Sequence, residues 1–325
     1  MKVVNSIDQI HPQSEVALTI GTFDGVHRGH QRLITRMVES AHRHHRLSAV
    51  LTFHPHPRAV IAPGAPAPPY LTTTEERAAI LESLGVDLLL FLPFTLELAN
   101  MPAEDFVQML YTRLRLGELW VGPDFALGHG RQGDVPFLRA LGERLGYSLH
   151  VVEPMVEDGE IISSTRIRLL LQEGRVAEAA RLLGRTYIMW GHVTTGDQRG
   201  RALGFRTANL HLDPERAIPA LGVYAVWACL GDGVCPQGPC YPAVANVGVH
   251  PSFGASREPL LEVHLMDYEG DLYDRTLGIG FIERLRPEMT FPSKEALAAQ
   301  IRQDIARARR LLAGTTICPA QGQRG

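Results

Sequence analysis

A chain of 325 residues has length for roughly two domains, and its make-up, 45% hydrophobic and 21% charged with a net charge of −3, is that of a globular protein. So small an acidic excess gives no electrostatic footprint for nucleic acid, and no apolar run approaches the ~20 residues that span a bilayer. The opening MKVVNSIDQI lacks a secretory h-region, so a cytoplasmic location with no membrane partner is expected.

Along the first half, strand-like and helix-like segments alternate. Val16–Ile20 is short, apolar and β-leaning, which predicts a buried strand. It runs into GTFDGVHRGHQRLI, after which Leu33, Ile34, Met37, Val38 and Ala41 recur at helical spacing. His27 and His30 therefore fall at the turn and first residues of a helix, where unpaired N–H groups and the macrodipole favour anions. LSAVLTF (47–53) reads as a strand and is followed by the Pro-rich HPHPRAVIAPGAPAPPY. TTTEERAAILESLG (72–85) is a helix with a Thr cap ahead of an acidic first turn. VDLLLFLPF (86–94) is a buried strand, and PAEDFVQMLYTRLRL (102–116) a helix with Pro near its start. ELWVGPDFALG (118–128) is strand and loop, VPFLRALGERLG (135–146) helix, and SLHVVEPM (148–155) strand. SSTRIRLLLQEG (163–174) is a capped helix stopped by Gly174, and RVAEAARLLG (175–184) a shorter one. Repeated β-α units predict an α/β, Rossmann-like parallel sheet with its ligand beyond the strands' carboxyl ends.

The texture then changes. TYIMWGHVTTG (186–196), GVYAVWACL (222–230), YPAVANVGV (241–249), LLEVHLMDY (260–268) and LGIGFIERL (277–285) are strand candidates split by Gly, Pro and Asp. They predict a small antiparallel β-barrel or sandwich, covered by one amphipathic helix over 293–314. The expected division is 1–184, 185–313 and a flexible tail over 314–325. The cysteines Cys229, Cys235, Cys240 and Cys318 form no CxxC pair. Free thiols are expected over a Cys235–Cys240 bridge.

GTFDGVHRGH, with its H-x-G-H pair at His27-Arg28-Gly29-His30, resembles the signature of the nucleotidylyltransferase superfamily. Three further stretches, TFHPHP (52–57), VGPDFALG (121–128) and ISSTRIR (162–168), follow in order. Together they are similar to the N-terminal module of bacterial bifunctional riboflavin kinase/FMN adenylyltransferases, or FAD synthetases. The resemblance implies that a phosphate oxygen of FMN attacks the α-phosphorus of ATP and that pyrophosphate leaves. Such a transfer needs no protein nucleophile, only in-line positioning and donors aimed at the developing charge. His27 and His30 can donate whether neutral or charged. Gly21, Phe23 and Gly29 would border the nucleotide, and the bare Gly29 would let it approach the backbone. By resemblance, Asp24 orients the turn and Asp124 touches flavin or ribose. Ser163, Ser164, Thr165, Arg166 and Arg168 offer hydroxyl caps and guanidinium forks for polyphosphate. His54 departs from the acidic or polar residue expected in TFxPHP. AHRHHR (41–46) reads as cationic side chains at a helix C-terminus rather than a metal cluster.

GHVTTGDQRGRALGFRTANLHL (191–212) resembles the riboflavin kinase module of the same enzymes. Gly196, Gly200, Arg201 and Gly204 fit its glycine-rich loop, and Thr207 and Asn209 fit the element that holds Mg²⁺ against ATP phosphates, as hard oxygen donors suit. Glu262 stands where that family carries the base for riboflavin's 5′-hydroxyl. Tyr224 and Phe253 would either border the flavin or pack in the core. Three positions depart: Arg206 replaces a proline, Ser252 a threonine and Asp274 a glycine. The implied enzyme takes riboflavin, FMN and ATP as substrates, Mg²⁺ as cofactor, and yields FMN and FAD. The alternatives are an adenylyltransferase whose second domain binds flavin with weak or no kinase activity, and a decayed flavin-binding protein. Self-association is left open.

Overall fold

The first strands, β1 (Lys2–Val4) and β2 (Val16–Ile20), differ in a way their sequences dictate: β2 is buried at every residue, as an unbroken apolar run requires of a central strand. In this computed structural model residues 1–62, 64, 66–194, 207–234, 236–249, 259–315 and 317 are described, the side chains of 237 and 259 excepted. The chain divides into two units. Among the described residues, one comprises those of Met1–Pro68 and Arg77–Ser163; the other comprises Pro69–Glu76 and those from Ser164 to 317.

In the first unit β2 leads to α1 (Arg28–Arg43), β3 (Leu47–His54) and α2 (Pro57–Ile61). α3 (Thr74–Ser83), which belongs to this unit from Arg77 on, β4 (Leu88–Pro93), α4 (Leu96–Ala99) and α5 (Ala103–Leu114) follow. β5 (Leu116–Val121), α6 (Val135–Leu145), β6 (Ser148–Val151) and the hairpin β7 (Val156–Glu157) and β8 (Glu160–Ile161) complete it. The order β1-β4-β3-β2-β5-β6 is parallel throughout, and the progression reverses at β2. Ligands of such sheets bind beyond the strand ends at that reversal. Alternation along β2 feeds two cores. Val16, Leu18 and Ile20 join Phe106 and Leu110 of α5 and Leu138 of α6, while Ala17 joins Ile34 and Met37 of α1 and Leu81 of α3. The expected Thr cap of α3 is Thr73. Its Oγ1 accepts from the Glu76 backbone at 3.1 Å and Glu76 Oε2 accepts from the Thr73 backbone at 3.0 Å, a reciprocal capping box.

The second unit begins with α7 (Ser164–Gln172) and α8 (Val176–Leu183), so its packing takes in both helices. Six strands, β9 (Tyr187–Thr194), β10 (Ala208–His211), β11 (Gly222–Gly231), β12 (Pro236–Val249), β13 (Pro259–Leu265) and β14 (Thr276–Arg286), close a barrel in the order β10-β13-β12-β11-β14-β9. Every pairing in it is antiparallel. Its interior is filled by Tyr224, Ala245, Leu261, Val263, Ile279 and Phe281. Tyr224 is therefore core: its ring meets Phe281 edge-on at 5.3 Å, its hydroxyl donates to the Ala220 carbonyl, and burial pushes that hydroxyl up to about 12. α9 (Lys294–Leu312) covers the outer face, placing Ala308 and Leu312 against Val223, Val244 and Leu285.

The expectation of free thiols is corrected within the barrel. Cys229 and Cys240 are disulfide-bonded, with Cα atoms 4.1 Å apart. They are cross-strand partners of β11 and β12, a register that residue spacing alone does not reveal. Asp274, where a glycine was expected, has φ 58°. The position demands the left-handed region, and aspartate is among the side chains that tolerate it. Of the expected tail, Thr315 is tied in by a hydrogen bond from Trp227 Nε1 at 3.3 Å, and most of the rest lies outside the described residues.

Candidate active sites

The turn from β2 to α1 is built under strain. Phe23 has φ 45° and Val26 φ 38°, the left-handed region that a β-branched residue avoids, with Gly25 between them at 77°. Such outliers concentrate at functional sites because the surrounding structure must hold them in place. What holds this turn is a buried ion pair. Asp24 is 3.7 Å from Arg77 at the start of α3, both carry side chains almost wholly buried, and Arg77 Nη1 donates to Thr52 Oγ1 at 3.2 Å.

The strain brings the histidines together. His27 is the N-cap of α1, and its Nδ1 accepts from the His30 backbone at 3.3 Å. An accepting Nδ1 leaves the ring proton on Nε2. The His27 and His30 rings stack with centroids 3.6 Å apart, and Phe23 meets His30 edge-on at 5.1 Å. Gly29 makes this arrangement possible, since a Cβ there would lie 3.1 Å from His27 Cε1 and Nδ1. Burial first, then the neighbouring His27 and Arg77, push the His30 imidazole well below its ordinary range, so it is neutral at pH 7. Its buried Nδ1 has no hydrogen-bond partner among the described residues. A buried polar atom in that state is poised for a ligand.

Beside this turn lies a cleft of about 710 Å³ bordered by Gly21, Thr22, Phe53, Phe94, Phe125 and Arg131. The Phe53 and Phe94 rings meet edge-on at 5.2 Å, giving an apolar, aromatic wall suited to a planar heterocycle. Asp124 is exposed near it, its backbone carbonyl accepting from Arg131 Nη2 at 2.9 Å. His54 is exposed, and His56 caps α2 through Nδ1, which accepts from the Arg58 backbone at 3.1 Å. Ser163 ends the first unit, just after Ile162, whose carbonyl lies 3.7 Å from where a Gly29 Cβ would be. Ser164, Thr165, Arg166 and Arg168 open α7 in the second unit, where Arg168 Nε donates to the Pro69 carbonyl at 2.7 Å. In AHRHHR two of the three imidazoles turn to carboxylates: His42 Nε2 is 3.1 Å from Asp87, and His44 Nδ1 3.2 Å from Glu118. Burial of Glu118 would raise its pKa, but hydrogen bonds from Trp120, Ser40 and Arg46 outweigh this and hold it low.

The second site is a row across the barrel. Asn209 on β10 is the register partner of Glu262 on β13, which is in turn the register partner of Asn246 on β12. The flanking Ala208, Leu210, Leu261 and Val263 are buried, so alternation sends Asn209 and Glu262 to the opposite face of the sheet. Thr207, two residues before Asn209, is exposed on that face. Gly196, Gly200, Arg201, Gly204, Arg206, Ser252 and Phe253 lie outside the described residues.

Sequence reasoning missed Arg77, Phe94 and Asn246. Arg77 had a signal, since a charge one turn before Leu81 sits on the buried stripe of α3. The other two depend on tertiary neighbours.

A strained strand-to-helix turn presenting two stacked histidines, and a closed barrel presenting a carboxylate between two amides, define a two-module phosphate-transfer enzyme. The FAD synthetase family profile matches residues 9–166, and the riboflavin kinase profile residues 183–312. The chain is 39% identical over 315 residues to the bifunctional riboflavin kinase/FMN adenylyltransferase of Pseudomonas fluorescens, covering 96% of this chain and 98% of that one. It is 38% identical over 312 residues to the protein of the same description from Escherichia coli K12, covering 95% and 97%. A crystal structure described as a macrolide-efflux protein from Streptococcus pneumoniae superposes with a TM-score of 0.85 at 29% identity, covering 95% and 98%. Among the described residues here no helix is long and apolar enough to cross a membrane. The chain belongs to the bifunctional riboflavin kinase/FMN adenylyltransferase family.

Proposed function

We propose that this chain carries out both reactions for which its family is named. It phosphorylates riboflavin with ATP, giving FMN and ADP, and then joins FMN to the adenylyl group of a second ATP, giving FAD and pyrophosphate. The observation that carries this reading is the match of both modules within one chain.

Adenylyl transfer is assigned to residues 1–184. The oxygen of the FMN phosphate attacks the α-phosphorus, and negative charge grows on the α-phosphoryl oxygens as pyrophosphate departs. The Nε2–H of His27 and the neutral ring of His30 are the donors aimed at that charge. Gly21, Phe23 and Asp24 shape the turn, and Gly29 leaves room for the phosphates. Ser163, Ser164, Thr165, Arg166 and Arg168 bind the departing pyrophosphate. The aromatic cleft takes the flavin ring, and Asp124, next in sequence to the lining residue Phe125, is assigned contact with flavin or ribose.

Kinase chemistry is assigned to residues 185–313, with 314–325 as a tail. Glu262 takes the proton of riboflavin's 5′-hydroxyl as its oxygen attacks the γ-phosphorus. Contact with the ATP phosphates is assigned to Gly196, Gly200, Arg201 and Gly204, which lie outside the described residues. Thr207 and Asn209, two apart on one face, supply the hard hydroxyl and amide oxygens that fit Mg²⁺. Bound there, Mg²⁺ neutralises charge on the transferring phosphoryl group. Incubating the protein with riboflavin, ATP and Mg²⁺ and separating the products tests the reading. FMN followed by FAD is expected; FAD formed from supplied FMN alone would favour a second module that binds flavin without turnover.

A further inference from the structure

On the barrel face that carries Glu262, the polar row does not end with Asn209. Asn246 lies directly across from Glu262 on the other side, so one carboxylate stands between two amides on three adjacent strands. Directly opposed residues place their Cβ atoms about 4.5–5.5 Å apart, which is within the reach of neighbouring hydroxyls on one polyol chain. Asn246 is half-buried beside Ala245 and Val247, both wholly buried. Its neighbour on the same face is Gly248, where a Cβ would sit 2.9 Å from Glu288 Oε1 and 3.3 Å from Asn246 Nδ2. The bare glycine makes room for the Asn246 amide and the Glu288 carboxylate, which both approach it. No side-chain hydrogen bond occupies the amide within the described structure, although a fold that only needed to fill this position could have used an apolar residue, as Val244 does one step earlier under α9.

We propose that Asn246 is a substrate-orienting residue of the kinase site, its amide hydrogen-bonding the ribityl hydroxyl next to the one that Glu262 deprotonates. An amide suits this task because it donates and accepts at once, and a polyol hydroxyl needs both. The proposal rests on Glu262 serving as the base, and the experiment separates the two. Riboflavin phosphorylation is measured for Asn246→Ala and Glu262→Gln, with riboflavin and with an analogue lacking the 4′-hydroxyl, alongside FAD formation from supplied FMN. Asn246→Ala is expected to raise KM for riboflavin about five- to tenfold, the effect of one lost neutral hydrogen bond. It leaves KM for the deoxy analogue unchanged, and turnover of that analogue shows that the barrel is folded. A rise of equal size for both flavins, or no rise, overturns the role of Asn246 while Glu262→Gln still abolishes turnover. Full kinase turnover in Glu262→Gln overturns the site and the proposal with it.

Discussion

The two candidate sites are made in opposite ways. In the parallel-sheet unit, Phe23, Asp24, His27, Gly29 and His30 lie within eight consecutive residues, folded onto one another by a strained turn and a helix N-terminus. In the barrel, Asn209, Glu262 and Asn246 come from three strands and meet only through register. A local site is written as a motif and depends on backbone conformation. A register site is written as isolated polar residues on alternating strands and depends on correct pairing, since a one-residue slip would send every member to the other face.

That contrast can be tested where the local site is most dependent on its support. Replacing Arg77 with Met leaves Asp24 buried without its ion-pair partner, and breaking such a pair by removing one member costs about 3–5 kcal/mol. The urea midpoint of the first unfolding transition is expected to fall accordingly, with FAD formation lost at temperatures where FMN formation persists. Gly29→Ala is milder. Its Cβ would lie 3.1 Å from the His27 ring, which must give by a few tenths of an ångström against the His30 stack, so FAD formation is expected to drop about 10- to 100-fold through misplacement, with FMN formation unchanged. An undiminished rate of FAD formation would remove the stacked pair from the account.

Smaller still is the effect of pH on stability. Folded His30 has its pKa lowered, by burial first and then by His27 and Arg77, so below the ordinary value near 6.5 the unfolded chain binds the proton and the folded one does not. Stability from this group is intact above that value and declines as pH falls through it. Between pH 7.5 and 5.5 the urea midpoint of the wild type should fall more steeply than that of His30→Asn; parallel slopes would contradict the neutral, buried state of this ring.

Legibility followed the same division. Val16–Ile20, the helix with His27 and His30 at its start, and the Thr-capped α3 were readable because each signal is periodic or contiguous. The barrel's strands were readable as strands. β10 was visible only as part of a motif, being four residues long, and the Cys229–Cys240 pairing was hidden because it belongs to the β11–β12 register. Arg77 was overlooked because its partner Asp24 lies some fifty residues earlier, and Asn246 because YPAVANVGV reads equally well as a strand with one outward amide. Asp274 stood in the sequence only as a departure from an expected glycine, and its left-handed backbone came from the structure.

The most direct measurement is the chromatographic product profile of two variants supplied with ATP and Mg²⁺. His30→Ala should convert riboflavin to FMN and stop there, whereas Glu262→Gln should make FAD from supplied FMN and nothing from riboflavin. Mixed together they should again carry riboflavin through to FAD. If either single substitution abolished both products in a folded protein, or the mixture failed, the claim of two independent phosphate-transfer sites in this chain would be contradicted.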